Sequence, residues 1–158
     1  MKGDALVISQ IRSTGMQWGT YGTDVDTLTN ITATADAKAD YNGKENTAIL
    51  VAFQTAEGKT ASNSAAINCY EYSTEGTNAG DWYLPAAGEL YSYVYGGGTN
   101  YSKINTTMGK LGWTFGSRWF WSSSESSDTT AWDVYSYYDR VYYTSKGNDH
   151  SVSCFLAL

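Results

Sequence analysis

Apolar positions recur at helical spacing through the middle of the chain. Ile49, Leu50 and Phe53 would share one face of a helix that Asn46 caps and that ends near Ala56. The same reasoning predicts three further helices, over residues 64–70, 85–98 and 100–111. The helix at 85–98 starts at Pro85 and is ended by three glycines. All four predicted helices precede residue 112.

Strand-like patterns flank this helical stretch. Residues 5–11 form an apolar run that predicts a strand, and a glycine-rich loop follows around 18–22. After Gly112, large apolar side chains alternate with small ones, and residues 152–158 alternate strictly, which predicts a last strand with one inward face. The pattern predicts a single α+β domain over residues 1–158, with helices in the N-terminal half and a twisted antiparallel sheet in the C-terminal half.

The surface of this domain is expected to be polar but weakly charged. Only 16% of the 158 residues are charged and the formal net charge is -6, whereas Gly, Ser, Thr, Asn and Tyr are abundant. Binding to nucleic acid phosphates needs clustered Lys and Arg, so nucleic acid is not an expected partner. An uncharged polar surface suits extracellular or virion proteins, and its residue types resemble those of antibody binding loops.

No apolar stretch reaches the roughly 18 to 20 residues of a membrane span, so membrane insertion is not expected. Residues 1–9 are too short for a secretory signal peptide. These features fit either synthesis in the cytoplasm, as for a phage structural protein, or a domain of a longer exported chain.

Cys69 and Cys154 are the only two cysteines, and their spacing fits neither a zinc site nor a redox motif. No metal and no cofactor are therefore expected. Two states remain open for the pair. A disulfide would stabilise the fold by about 4 kcal/mol in an oxidising compartment, and the alternative is two buried free thiols.

Catalytic chemistry has little support in the sequence. His150 is the sole histidine and lies in a polar turn, with no nucleophile elbow elsewhere. Four glutamates could in principle act as acid and base in glycoside hydrolysis, but scattered carboxylates more commonly solvate a surface: Glu71, Glu75, Glu89 and Glu125. The aspartates near the C-terminus are not spaced as in a calcium-binding EF-hand loop.

The segment 133–151 combines many tyrosines with short polar residues. Val134 and Val141 are almost its only apolar residues, too few to bury two strands, so most of the tyrosines are expected to face solvent. An alternative is an edge hairpin whose tyrosines pack only on one another. Exposed, clustered Tyr is typical of a binding surface. We predict one contiguous exposed face made of Tyr135, Tyr138, Tyr142, Tyr143 and His150.

Six short motifs follow one another along the chain. They are KENTA at 44–48, CYEYS at 69–73, GDWYLPAAGEL at 80–90, FWSSSE at 120–125, AWDV at 131–134 and VSCFL at 152–156. In these motifs the chain resembles the C-type-lectin-fold family that includes the C-terminal domain of the Legionella collagen-like protein. The resemblance implies a C-type lectin-like fold. The large side chains in and beside the motifs are expected to close its core: Trp82, Leu84, Leu90, Trp121 and Trp132.

Some members of that family are variable proteins of diversity-generating retroelements, in which asparagine-type codons of a C-terminal segment are randomised at their adenines. Residues 132–154 resemble such a segment, because 133–151 is built almost entirely of residue types reachable from AAC by adenine changes. By this resemblance four positions belong to a fixed scaffold: Val134, Val141, Lys146 and Val152. The variable ligand contacts would be Asp133, Tyr135, Tyr138, Arg140, Tyr142, Tyr143, Thr144, Ser145, Gly147, Asn148 and His150.

Two departures from lectin-fold relatives affect the expected mechanism. The motifs Glu-Pro-Asn, Gln-Pro-Asp and Trp-Asn-Asp of calcium-dependent sugar binding do not occur, and Trp132-Asp133-Val134 keeps only the tryptophan. Formylglycine-generating enzymes share the fold but need reactive cysteines and a metal. A lectin-like fold therefore does not by itself imply lectin activity.

The sequence thus predicts a non-catalytic protein that binds a protein or glycan receptor on a host or neighbouring cell through a retroelement-diversified, tyrosine-rich surface. Its expected location is a phage tail or a bacterial surface. One alternative is a cell-surface adhesin module of fixed specificity. The other is a glycan or cell-wall hydrolase that uses carboxylates such as Glu89 and Glu125.

Overall fold

The computed structural model describes residues 6–158, so Ala5 of the predicted first strand lies outside the described residues. The eight strands of this part of the chain are β1 Leu6–Ile8, β2 Ser13–Met16, β3 Trp82–Tyr83, β4 Trp119–Glu125, β5 Thr130–Tyr135, β6 Val141–Ser145, β7 His150–Val152 and β8 Phe155–Ala157. The helices are α1 Thr34–Lys38, α2 Gly43–Ala56, α3 Ala65–Glu71, α4 Ala87–Glu89 and α5 Thr99–Lys110. The predicted α+β class is confirmed.

The observed helices differ from the predicted ones mainly at their ends. Helix α2 begins at Gly43, three residues before the predicted cap, and Asn46 lies inside it, where its amide donates to Asp40 Oδ2 at 3.0 Å. Ser64 caps α3 by accepting a hydrogen bond from the backbone N–H of Ile67 at 3.1 Å. The short helix α1 was not predicted. Between residues 6 and 158, no helix has both the length and the apolar character needed to cross a bilayer.

The predicted third helix is not a regular α-helix. Pro85 lies ahead of α4, and α4 continues as a π-helical turn, Leu90–Tyr95, and a 3-10 turn, Gly96–Gly98. Gly96, Gly97 and Gly98 all have positive φ, which suits residues without a Cβ, so they bend the chain directly into α5 instead of ending the helical stretch. Gly88 fits its place tightly, because an added Cβ would lie 2.4 Å from the carbonyl oxygen of Asp40.

The strands form two sheets, not one, and the predicted purely antiparallel sheet is wrong in one pairing. The small sheet has the order β1-β8-β3, and the large sheet has the order β2-β7-β4-β5-β6. Strands β4 and β7 pair in parallel, with Phe120 opposite Ser151. The predicted last strand is split, because β7 belongs to the large sheet and β8 to the small one. The split also removes its predicted inward face, since Phe155 is buried while Leu158 is exposed.

The predicted core residues are confirmed as buried: Trp82, Leu84, Leu90, Trp121 and Trp132. Two indole N–H groups of β4 and β5 bond to β2 and to the loop before α1. Trp121 donates to the carbonyl oxygen of Met16 at 2.7 Å, and Trp132 donates to that of Ile31 at 2.8 Å. Trp18, within the predicted loop, is buried as well and donates to Ser122 O at 2.8 Å. These bonds satisfy polar groups that burial would otherwise leave unpaired.

Cys69 and Cys154 form a disulfide with a Cα–Cα distance of 5.4 Å. The bond joins α3 to the segment between β7 and β8, and both residues are fully buried in the core beside Trp82. Because the two cysteines are 85 residues apart, the bond closes a long loop and removes a large amount of conformational entropy from the unfolded chain.

Candidate ligand-binding face

One face of the large sheet presents a row of aromatic rings. Trp119 on β4 pairs across the strands with Tyr135 on β5, and Trp121 pairs with Asp133, which pairs in turn with Tyr142 on β6. Because side chains alternate between the two faces of a strand, all five side chains lie on the same face. His150 on β7 joins them, since it neighbours both tryptophans.

The rings contact one another continuously across the strands. The centroid of Trp119 lies 5.1 Å from that of Tyr135 and 5.6 Å from that of Tyr142. Tyr138, in the β5–β6 turn, stacks on Tyr135 at 5.9 Å with nearly parallel planes. We call Trp119, Tyr135, Tyr138, Tyr142 and His150 the aromatic face.

The β5–β6 turn extends the aromatic face towards α5. Tyr137 lies 4.7 Å from Tyr138 and 5.0 Å from Tyr101 of α5, measured between ring centroids. Arg140 places its guanidinium carbon 5.5 Å from the ring centre of Tyr138, which is cation–π geometry. The turn is therefore held between the sheet and the helix by ring contacts on both sides.

Asp133, predicted as a ligand contact, is instead a buried support. Its side chain is closed to solvent, and its Oδ2 lies 2.7 Å from His150 Nε2 and accepts a hydrogen bond from Thr144 Oγ1 at 2.7 Å. Thr144 Oγ1 also lies 3.0 Å from His150 Nε2. Asp133 thus lies on the face that carries the aromatic rings but is closed to solvent there, and its contact with His150 helps to position the His150 ring beside Trp119.

Tyr143 lies on the opposite face of the sheet, so the predicted single face divides. Its ring meets Trp132 edge-on at a centroid distance of 5.2 Å, and it lines a cleft with Thr34 and Val141. Tyr142 and Tyr143 are nevertheless equally exposed, at 54% and 55%. Adjacent residues of a strand must point to opposite faces, and only the observed pairing shows which of the two joins Trp119.

The other predicted contacts lie around the β6–β7 turn. Gly147 and Asn148 are exposed, and Ser145 organises the turn, because its hydroxyl accepts from Gly147 N at 3.3 Å and its carbonyl from Asn148 N at 2.9 Å. Arg140 is exposed at the other end of β6, whereas Thr144 and Ser145 are half-buried. These residues border the aromatic face, and of them Arg140 lies over the ring of Tyr138 and Thr144 contacts His150.

A buried ion pair anchors the β6–β7 turn. Lys146 Nζ lies 2.5 Å from Glu125 Oε1, donates to Asp128 O at 3.0 Å, and sits 4.6 Å above the ring of Trp18. Burial raises the pKa of Glu125, and the hydrogen bond and charge of Lys146 oppose that rise. Neither side chain is accessible to solvent, so the pair holds the turn and contacts no ligand.

Glu89 and Glu125, the two carboxylates named for glycoside hydrolysis in the alternative hypothesis, do not form an open acid–base pair, whereas Glu71 and Glu75 are exposed. Glu89 and Glu125 are both buried, and Glu89 Oε2 accepts from the backbone N–H of Ala86 at 2.8 Å while Tyr83 donates to its Oε1 at 3.2 Å. Burial raises the pKa of Glu89 to about 7. Within residues 6–158, no three His, Cys, Asp or Glu side chains gather as metal ligands.

The raised pKa of Glu89 predicts a pH-dependent stability. The carboxyl group has a pKa near 4.5 in the unfolded chain and about 7 in the fold, so the fold favours its protonated form. We expect this group to lower the free energy of unfolding by about 3 kcal/mol as the pH rises from 4.5 to above 7. Urea titrations at several pH values should show this loss in the wild type and not in Glu89→Gln. Parallel pH profiles for the two proteins would contradict the assignment.

Sequence reasoning missed part of the aromatic face. Trp119 falls within the alternation of large apolar side chains predicted after Gly112, and neither it nor Tyr137 and Tyr101 is predicted as a surface ring. The spacing of Trp119 and Trp121 was the available signal, since residues two apart on a strand share a face. Trp119 is half-buried, whereas Trp121 is buried. The ring of His150 on β7 packs against Trp121 at a centroid distance of 4.3 Å, and this long-range contact is not visible in the local sequence.

Comparison with known proteins identifies the fold and no family. No protein-family model matches the chain, and no curated protein matches it. A fimbrial protein from Bacteroides ovatus ATCC 8483, known from a crystal structure at 1.85 Å resolution, has a similar fold, with a TM-score of 0.61 and 16% sequence identity. The match covers 98% of this chain and 34% of that protein, so the chain spans about a third of its length.

Proposed function

We propose that the protein is a binding module of an extracellular surface structure, an adhesin-type domain whose contact surface is the aromatic face. The observation that carries the proposal is the continuous ring contact from His150 through Trp119 to Tyr138, on a surface where Tyr138 and Tyr142 are more than half exposed. Large exposed apolar patches on a folded domain mark interaction sites.

The construction of the aromatic face supports tight binding. The rings are already held by one another and by the Asp133–His150 contact, so little side-chain entropy remains to be lost when a ligand binds. Tyr supplies contact area together with a hydroxyl that tolerates water, which suits a surface that is exposed before it binds.

Three observations support an extracellular location. The Cys69–Cys154 disulfide is characteristic of oxidising compartments. The surface carries few charges for its size. The fimbrial protein of similar fold is consistent with a surface role for this chain. Hydrolysis is disfavoured, because substrate would have no access to Glu89 or Glu125.

A narrower proposal is that the fold is C-type lectin-like and that residues 132–154 are diversified by a retroelement. The exposure pattern supports it. The four positions assigned to a fixed scaffold are all buried: Val134, Val141, Lys146 and Val152. Apart from Asp133, the positions assigned to variation are exposed or half-buried. An adhesin module of fixed specificity would show the same pattern, so structure alone does not separate the two.

Genome sequencing distinguishes diversification from fixed specificity. Diversification predicts a reverse transcriptase gene beside this gene and a near-copy of the sequence encoding 132–154 that differs only at adenines. Identical sequences of this segment across independent isolates, with no such copy nearby, would establish the fixed module instead.

Binding through the aromatic face can be tested with a multiple variant. We expect Tyr135→Ser, Tyr138→Ser and Tyr142→Ser together to abolish binding of the fluorescently labelled protein to a panel of intact bacterial and mammalian cells. Tyr138 and Tyr142 are exposed, where substitutions usually cost within about 0.5 kcal/mol each, and only Tyr135 is half-buried, so the variant should still melt as a folded protein. Trp113→Ser, which removes an exposed ring outside the face, is the control and should bind normally. Full binding by the triple variant would refute the proposal.

A further inference from the structure

A cleft opens beside the aromatic face, between the start of α5 and the β5–β6 turn. Its volume is about 590 Å³, within the range of small-molecule sites. Glycines form part of its wall, and the side chains that decide its chemistry are Tyr95, Ser102, Lys103, Tyr137, Tyr138 and Asp139. The cleft lies where the row of rings ends, so a ligand on the aromatic face can extend into it.

Two rings of the cleft are fixed before any ligand arrives. Tyr137 is supported by Tyr101 at a centroid distance of 5.0 Å, and Tyr138 by Tyr135 at 5.9 Å. Tyr137 and Tyr138 are also 42% and 53% exposed, so both keep ring surface open to solvent. They form a platform of two adjoining apolar surfaces, tilted by 57° to each other.

Polar groups border this platform. Asp139 is held by Lys38, whose Nζ lies 2.7 Å from Asp139 Oδ1, and the Asp139 side chain is still 54% exposed. Ser102 donates its hydroxyl to Gly98 O at 3.2 Å, which leaves the oxygen able to accept. Lys103 adds an ammonium group with three donors. Lys103 and Asp139 line the cleft as one cation and one anion, and Lys38 also pairs with Asp139.

We propose that the cleft binds a neutral oligosaccharide, with Tyr137 and Tyr138 against the C–H faces of sugar rings and with Asp139 and Lys103 bonded to hydroxyl groups. This inference rests on the proposed function and names the ligand class for one end of the same surface. A sugar ring combines an apolar C–H face with a rim of hydroxyl groups. The apolar face matches the two tyrosine rings, and the hydroxyl groups match the carboxylate, ammonium and hydroxyl that border them. An apolar peptide side chain would leave that border unpaired, and an anionic ligand would face Asp139.

The test uses a printed array of defined neutral and acidic oligosaccharides, followed by isothermal titration with the strongest neutral binder. Ser102→Trp fills the cleft from an exposed position on α5, and Tyr137→Ala removes half of the platform. We expect each change to weaken binding at least tenfold, while Thr55→Trp, at an exposed position on α2, leaves it unchanged. In the wild type, amide NMR shifts on titration should concentrate at Gly97, Gly98 and Ser102. Melting curves establish that each variant is folded.

Three results would overturn the inference: no neutral oligosaccharide bound by the wild type, binding confined to acidic sugars, or an affinity within twofold of wild type in folded Ser102→Trp. Its failure is distinguishable from failure of the proposed function. If Ser102→Trp keeps cell binding that the triple tyrosine variant loses, the sugar cleft is wrong and the aromatic face stands. If the triple variant also keeps cell binding, both are wrong.

Discussion

Replacing Trp132 by alanine is expected to lower the free energy of unfolding by about 3 to 5 kcal/mol, because the change leaves a cavity the size of an indole in the core. Trp132 is fully buried between the large sheet and the elements around α1. The change also orphans the carbonyl of Ile31, which now accepts from the indole N–H at 2.8 Å.

Urea unfolding of Trp132→Ala measures this loss, and Trp113→Ala is the matched control. Trp113 is 43% exposed and lies outside both sheets, so its truncation is expected to cost within about 0.5 kcal/mol. The core assignment would be wrong if Trp132→Ala unfolded cooperatively and lost no more stability than the Trp113→Ala control.

Truncating Lys146 should have an effect of similar size by a different mechanism. Lys146→Ala leaves the carboxylate of Glu125 buried without its cation, and removing one partner of a buried pair typically costs about 3 to 5 kcal/mol. Because an unpaired buried carboxylate favours protonation, the variant should recover stability as the pH falls.

A double-mutant cycle isolates the Lys146–Glu125 interaction. Lys146→Met with Glu125→Gln removes both charges and keeps most of the volume, so the double variant should be more stable than Lys146→Met alone. Additive losses in urea titrations at pH 7 would mean that the two side chains do not interact.

Helices with clear local signals were predictable from the sequence. Helix α5, Thr99–Lys110, matches the predicted 100–111, and α3, Ala65–Glu71, matches the predicted 64–70. The burial of large aromatic residues was predictable as well, since few positions in a small domain can hide an indole. In contrast, α1 and β2 are five and four residues long and exist through tertiary contacts, which leave little periodicity in the sequence.

The candidate site was predictable in composition but not in geometry. The segment 133–151 was predicted to expose most of its tyrosines, yet the burial of Asp133 depends on its contact with His150, 17 positions away. The division of Tyr142 from Tyr143 depends on the register of β6 against β5. A shift by one residue would exchange the two faces, and nothing in the local sequence specifies that register.

The adjacent tyrosines of β6 test the central claim most directly. Tyr142 and Tyr143 have the same side chain and nearly equal exposure, at 54% and 55%, but only Tyr142 stacks on Trp119. Flow cytometry of the labelled single variants Tyr142→Ser and Tyr143→Ser on the same cell panel compares the two faces of one strand. We expect Tyr142→Ser to weaken cell binding at least tenfold and Tyr143→Ser to leave it within twofold of wild type. Equal binding by the two variants, or a larger loss for Tyr143→Ser, would contradict binding through the aromatic face.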